Sequence, residues 1–124
     1  MKDKVISHLA SHLTTLKQDP LAVGLIATTS LLMVTLFVWL NVSYDTLPDL
    51  LPLHFDAQGN ADRIAERREI FVLPGIALVV ALVNGVAGLL MHLRFGMIFA
   101  AYLLWSGALL TQILIWIATW NITH

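Results

Sequence analysis

Residues 47–62, LPDLLPLHFDAQGNAD, interrupt an otherwise apolar chain and decide how it folds. The segment holds two prolines, a glycine, and His54 with acidic residues on both sides. Long apolar runs lie before and after it. It therefore predicts an extramembrane connection between helices that stay in a membrane.

The composition is that of a membrane protein. Of the 124 residues, 58% are hydrophobic and 12% are charged, against roughly 25% charged residues in a soluble domain. No charged residue lies between Asp19 and Asp45, and only Arg94 follows Glu69. The remaining apolar runs approach the roughly 20 residues that a helix needs to cross a bilayer. They predict spans over residues 21–40, 71–93 and 95–117.

Charge and cysteine content exclude several classes of function. The net charge is −1 and the basic residues are scattered, so nothing favours nucleic-acid binding. Cysteine is absent, which removes disulfides, thiolate metal sites and cysteine nucleophiles. The first apolar run is longer than a signal-peptide core and lacks a small-residue cleavage site. We expect it to be retained, as part of one membrane domain over residues 20–124.

Residues 1–19 carry an amphipathic stripe. Apolar side chains recur at spacings of four, four and three, at Val5, Leu9, Leu13 and Leu16. This pattern predicts a helix that lies in the headgroup plane before the first span. His8 and His12 are one helical turn apart and could share a metal or a pigment. We favour the simpler interpretation, two histidines on the polar face of an interfacial helix.

The polar flanks predict where the first span begins and how the chain is oriented. Asp19 can cap a helix that starts at Pro20. With the N-terminus inside, the inner flanks carry Lys2, Lys4, Lys17 and Arg94. The outer flanks then carry Arg63, Arg67 and Arg68. The excess of inner charges predicts the N-terminus inside, with loop 41–69 and the C-terminus outside.

Asn84 and Gln112 are the most polar side chains in the predicted spans, and each needs a hydrogen-bond partner. At roughly 1.5 Å per residue, the two lie at different depths. We predict a polar layer at the depth of Asn84, composed of Thr28, Thr29 or Ser30 with Asn84 and Tyr102. Gln112 would point to another helix or to a partner chain. Because no charged residue lies inside a span, we favour interhelical contact over a transport path.

The second span carries a face of small residues: Ala77, Ala81, Gly85 and Gly88. In lipid, such a face permits close approach of helix backbones. Small residues are also common in membrane helices for no specific reason. The pattern therefore leaves both interpretations open.

The loop predicts a β-hairpin. Leu51, Leu53 and Phe55 alternate with polar residues, so one face of the extended segment is apolar. Residues 56–59 fit a type I turn followed by a left-handed Gly59. Residues 61–64 would form the returning strand. Because a two-stranded ribbon is marginal alone, its apolar face should rest on the helix ends.

The same residues carry a resemblance to a known family. Pro48, Pro52, His54-Phe55-Asp56, Gly59 and Asp62 lie between an apolar helix and a second helix with an early proline. This arrangement resembles the N-terminal membrane domain of unknown function in the SdpI-type immunity family, over about residues 30–90. The multi-helix C-terminal half of that family has no counterpart in these 124 residues. The resemblance implies a bacterial inner-membrane protein, and an immunity or signalling role.

A metal site in the loop is a weaker alternative. His54, Asp56 and Asp62 could hold zinc or manganese. Asp56 suits the turn, however, and Asp62 could pair with a nearby arginine, so we predict no metal and no cofactor.

Haem binding and catalysis are two further alternatives that we do not favour. His92 could ligate a haem or chlorophyll, yet a hydrated interfacial histidine is simpler. No serine or cysteine accompanies a histidine in a catalytic arrangement, and we expect no enzyme activity.

Two classes of function follow. The first is an accessory or assembly subunit of a larger membrane complex, acting through protein contacts. The second is an SdpI-like immunity or signalling protein, acting alone or as a homo-oligomer. A part of an oligomeric transporter is a minor third, since three helices rarely enclose a path.

Overall fold

A computed structural model describes all residues 1–124 as four α-helices and one β-hairpin. The elements in chain order are α1 Lys2–Lys17, α2 Pro20–Ser43, β1 Leu50–Phe55, β2 Ala61–Glu66, α3 Val72–Leu89 and α4 Ile98–Thr123. Short 3₁₀ turns, Tyr44–Thr46 and Arg67–Phe71, flank the hairpin. A π-helical turn, Leu90–Arg94, continues α3. Helices α2, α3 and α4 form an up-down-up bundle.

The three bundle helices are long and apolar enough to cross a membrane. Only 17 of 124 residues are buried, and large apolar side chains cover the outside of the bundle. Such a surface suits lipid rather than water. The predicted combination of three apolar helices and a short hairpin is confirmed.

The helix ends follow local chemistry. The Asp19 Oδ1 atom accepts a hydrogen bond from the Ala22 backbone N–H at 3.2 Å, and Pro20 occupies the first helical position. Gly96 adopts a φ of +65°, which glycine tolerates, and reverses the chain between α3 and α4. As a result α4 begins three residues later than predicted, at Ile98, and it continues to Thr123.

The bundle is packed differently at its two ends. At the hairpin end, a core cluster joins residues of α2, the hairpin and α4: Leu36, Leu40, Leu47, Leu51, Ile70 and Ile122. At the other end, the cluster consists of Ala22, Ala101 and Trp105. We call this second region the α1 end, because Leu16 of α1 packs there. No residue of α1 itself is buried, and Val5, Leu9 and Leu13 of its apolar stripe are exposed, as a helix at the membrane interface requires.

Candidate functional site

The hairpin turn is built around Asp56. Its Oδ1 atom accepts hydrogen bonds from the backbone N–H groups of Gln58, at 3.0 Å, and Asn60, at 2.9 Å. The Gly59 N–H donates to the Asp56 carbonyl, and Gly59 adopts a φ of +84°. Asp56 is thus turned toward the turn backbone rather than toward His54.

His54 and Asp62 meet across the hairpin. The His54 Nδ1 atom lies 2.6 Å from Asp62 Oδ1, and both side chains are largely exposed. The suggested pairing of Asp62 with an arginine is therefore wrong. Arg68 pairs with Glu66, while Arg63 approaches Glu69. The chain contains no cluster of three or more His, Asp or Glu side chains arranged around a possible metal position.

Phe55 does not share the buried face predicted for it. Leu51 is 1% exposed and Leu53 is half-buried, whereas Phe55 is 42% exposed. Register shifts on either side of His54 break the alternation of the strand. A bulge adds a residue to one strand and rotates the following side chains to other directions. Phe55 is thereby released from the apolar face.

Two prolines belong to the same loop motif. Pro48 is exposed before β1, and Pro52 lies opposite Ile64 in the strand pairing.

Arg67 connects the end of the hairpin to the end of α2. Its guanidinium lies within 3.4 Å of the Leu47 carbonyl and 4.9 Å from the centre of the Tyr44 ring. These contacts tie the second 3₁₀ turn to the end of α2.

A cleft of about 390 Å³ lies between the hairpin and the start of α3. Its floor is apolar: Leu53, Val72, Leu73 and Ile76. Its rim is formed by two polar pairs: His54 with Asp62 and Arg63 with Glu69. An apolar floor with a few polar groups at the edge is the usual character of a binding site. We call this the hairpin cleft.

Exposed apolar side chains also lie on the hairpin, outside the lining of the hairpin cleft. Leu50 is 62% exposed and Ile64 is 64% exposed, and the two lie on the same side of the sheet. Phe55 adds a third such side chain nearer the turn. In a short extramembrane hairpin, apolar groups in this position have no core to cover them.

A second polar site lies at the α1 end of the bundle, and sequence reasoning missed it. Asp19 Oδ2 accepts a hydrogen bond from the Tyr102 hydroxyl at 2.6 Å and lies 2.8 Å from His92 Nε2. The other carboxylate oxygen caps α2. One carboxylate thus joins α2, the π turn after α3, and α4. We call Asp19, His92 and Tyr102 the polar clamp.

The polar clamp is largely enclosed. The His92 side chain is 5% exposed and the Asp19 side chain 17%. The hydrogen bonds from Tyr102 and His92 lower the pKa of Asp19 below its ordinary value of 3.8. Trp105 packs against His92 with ring centres 5.6 Å apart. The predicted hydrated, interfacial His92 is therefore wrong, since the ring is buried against Asp19.

His92 also has an unusual backbone and an unpaired atom. It lies in the π-helical turn, a rare element that is frequent at functional sites. Its Nδ1 atom is buried and has no hydrogen-bond partner. The buried ring therefore has one nitrogen that the contact with Asp19 does not use.

The predicted mid-membrane polar layer is not formed. Tyr102 lies only one turn into α4, and its side chain points back toward the start of that helix, where Asp19 lies. Thr28 and Ser30 are exposed, and Thr29 is buried but donates to the Leu25 carbonyl of its own helix. Asn84 reaches a backbone group instead of a side chain.

Asn84 and Gln112 each join α3 to α4. The Asn84 side-chain amide donates to the Leu104 carbonyl at 2.9 Å. The Gln112 amide donates to the Ala77 carbonyl at 3.0 Å, and Gln112 is fully buried. Both polar groups therefore hold the helix pair together, at separate depths.

Among the predicted packing residues, Gly88 has a specific steric role. Ala77 is fully buried, and Ala81 and Gly85 are half-buried. A Cβ atom on Gly88 would lie 2.2 Å from Trp105 Nε1, whereas one on Gly85 would meet nothing within 4 Å. The Trp105 N–H in turn donates to the Gly85 carbonyl at 3.3 Å. The indole ring thus occupies the space that Gly88 leaves.

Elsewhere, His8 and His12 contact each other on α1, with their Nε2 atoms 2.9 Å apart. This is a direct contact between the two imidazole rings. Both lie beside α3, next to Arg94.

Comparison with known proteins identifies one similarity. The family described as "Domain of unknown function (DUF1648)" matches residues 31–78, which is less than half of the chain. The match covers most of α2, the whole hairpin and the first turns of α3. No curated protein and no solved structure matches the chain. The matched segment contains the hairpin cleft, while the polar clamp lies outside it.

Proposed function

We propose that this chain is a non-catalytic integral membrane protein that acts through protein–protein contacts, as an accessory or assembly subunit of a larger membrane complex. One observation carries the proposal: the exposed apolar side chains Leu50, Ile64 and Phe55 on the hairpin. Apolar side chains exposed together on a hairpin favour a contact that covers them, and buried apolar groups dominate the energetics of protein–protein interfaces.

The hairpin also offers its backbone. A two-stranded sheet has two free edges, and each presents N–H and C=O groups to an added strand. The bulges next to His54 restrict regular pairing in that part of β1. We assign partner contact to the face of the hairpin with Leu50 and Ile64, opposite the face of Leu51 that packs on the bundle. The turn at Gln58 lies at the other end of the hairpin and carries no large apolar side chain.

We place the protein in the bacterial cytoplasmic membrane with the N-terminus inside. The positively charged flanks support this orientation, four residues against three. The hairpin and its cleft then face the outer side. The partner in this proposal has to present a surface at that side of the membrane.

Co-purification with a matched pair of variants tests the proposal. Ile64→Lys places a charge in the apolar surface, and Gln58→Lys adds the same charge at the exposed turn. After gentle solubilisation of native membranes, we expect wild type and Gln58→Lys to retain a stoichiometric set of partner subunits. Ile64→Lys should lose them while keeping its own helical content. Equal retention by both variants would contradict the proposal.

The second candidate, an SdpI-like immunity or signalling role, is favoured by the resemblance of the loop motif at Pro52, His54-Phe55-Asp56, Gly59 and Asp62. It predicts a protein that purifies alone or as a homo-oligomer from the same membranes. It also predicts that deletion makes the cell sensitive to a secreted toxic peptide. A stoichiometric set of other subunits, without such sensitivity, would count against it.

A further inference from the structure

A second groove, of about 420 Å³, lies between α1 and the end of α3. Val86, Leu90 and Leu93 line it from the α3 side, and His8 and His12 line it from α1. Arg94 closes it at the end of the π turn. The groove is far from the hairpin cleft, at the opposite end of the bundle.

The groove has a pronounced charge asymmetry. Its lining contains Arg94 and two histidines but no carboxylate. The His8 and His12 Nε2 atoms share one hydrogen bond at 2.9 Å, so in the neutral pair the accepting ring still carries a donor N–H on its Nδ1 atom. A guanidinium and an imidazole N–H are well suited to phosphate oxygens. The charges thus favour an anion at this position.

The apolar wall of the groove continues onto the outside of α3. Val86 is 56% exposed and Leu90 is 50% exposed, and Val79 and Val83, further along α3, are exposed as well. On the other side, Leu9 and Leu13 of α1 are each 57% exposed. An acyl chain could therefore occupy the groove without leaving the hydrocarbon of the bilayer.

We propose that this groove binds an anionic phospholipid. Its phosphate lies between Arg94 and the His8–His12 pair, and its acyl chain runs over Val86 and Leu90. A basic pocket at the end of membrane helices is a known type of site for acidic lipid headgroups. The bound lipid fills the space between α1 and α3 and so helps to hold α1 against the bundle. This proposal is independent of what the hairpin binds.

Lipid retention in native mass spectrometry tests the site. The protein is released from bilayers of phosphatidylcholine with added phosphatidylglycerol, and the retained lipids are counted by headgroup. We expect one phosphatidylglycerol to remain on wild type. Arg94→Gln should weaken the retention of phosphatidylglycerol roughly tenfold, because it removes one charge-assisted hydrogen bond. The double variant His8→Gln/His12→Gln should weaken it further when combined with Arg94→Gln.

Lys17→Gln is the matched control, since it removes one positive charge from the same end of the protein outside the groove. It should retain phosphatidylglycerol as wild type does. Arg94 is exposed, so its replacement leaves the packed core intact. Equal loss in Lys17→Gln and Arg94→Gln would overturn the proposal in favour of general surface charge. Undiminished retention by Arg94→Gln, or equal retention of phosphatidylcholine by wild type, would overturn it too.

Discussion

Replacement of Asp19 by alanine is expected to lower the free energy of unfolding of the bundle by about 3 kcal/mol, because it removes a helix cap and leaves two enclosed donors unpaired. The Asp19 carboxylate accepts hydrogen bonds from the Ala22 backbone N–H, the Tyr102 hydroxyl and the His92 Nε2–H group. Reversible unfolding in mixed micelles measures the loss. Asp3→Ala is the control, since Asp3 is exposed on α1; a comparable loss there would contradict the clamp.

A double-mutant comparison isolates the pairwise contact. In the wild-type background, Tyr102→Phe should destabilise the protein, because it leaves Asp19 with one donor fewer. In the Asp19→Ala background, the same change should cost almost nothing, since the hydroxyl has already lost its acceptor. Equal effects of Tyr102→Phe in the two backgrounds would show that the hydroxyl and the carboxylate do not interact.

The polar clamp also predicts a pH dependence. The pKa of Asp19 in the folded protein lies below its ordinary value of 3.8. A carboxylate with a lowered pKa stabilises the folded state above the unfolded pKa, and this stabilisation is lost as pH falls through the folded pKa. The stability difference between wild type and Asp19→Asn should therefore shrink as the pH falls below about 4. A difference that stays constant down to the acid limit would contradict this.

Gly88→Ala is the second substitution with a large expected effect. The added Cβ would lie 2.2 Å from Trp105 Nε1 and 2.6 Å from Cε2, and Trp105 is 2% exposed. The indole is held by Gly85, His92 and Tyr102, so it cannot move without disturbing the polar clamp. Overpacking of this kind costs about 1–3 kcal/mol, and we expect the upper part of that range.

Gly85→Ala is the matched control for Gly88→Ala. A Cβ there meets nothing within 4 Å, so alanine should be neutral or slightly stabilising, as in other helix interiors. Combining Gly88→Ala with Trp105→Phe should recover part of the lost stability, because the smaller ring vacates the space. Equal stability of Gly85→Ala and Gly88→Ala in the same unfolding assay would contradict the close contact.

Local chemistry made much of the fold predictable. Apolar length alone indicates the three spans, Asp19-Pro20 marks the start of α2, and Asp56 with Gly59 marks the turn. Each of these features depends on residues close together in the chain. The same applies to the hairpin, whose strands are joined by a short turn.

The polar clamp could not be predicted in this way. His92 is 73 residues from Asp19 and Tyr102 is 83 residues from it, so their meeting depends on helix rotation and on the π turn. The length of an apolar run determines neither the rotation of a helix nor the position of a π turn. The prediction for Phe55 was wrong for a related reason. A bulge changes the alternation of the strand, and no residue marks a bulge in the sequence as clearly as Gly59 marks the turn. The available signal for the clamp was an acidic residue, Asp19, directly before the first span.

The two ends of the molecule thus differ in kind. At the α1 end, the polar clamp stabilises the bundle, and we assign the open groove to a lipid. At the hairpin end, apolar groups and an open cleft face outward. This division leads us to place the partner contact at the hairpin.

Site-specific photocrosslinking in native membranes tests that placement most directly. A benzophenone amino acid is introduced at Ile64 on the hairpin, 64% exposed, and at Leu103 on the outer face of α4, 76% exposed. We predict a discrete protein adduct of another polypeptide from Ile64 and mainly lipid adducts from Leu103. The absence of a protein adduct at Ile64, or the same adducts from both positions, would contradict the account.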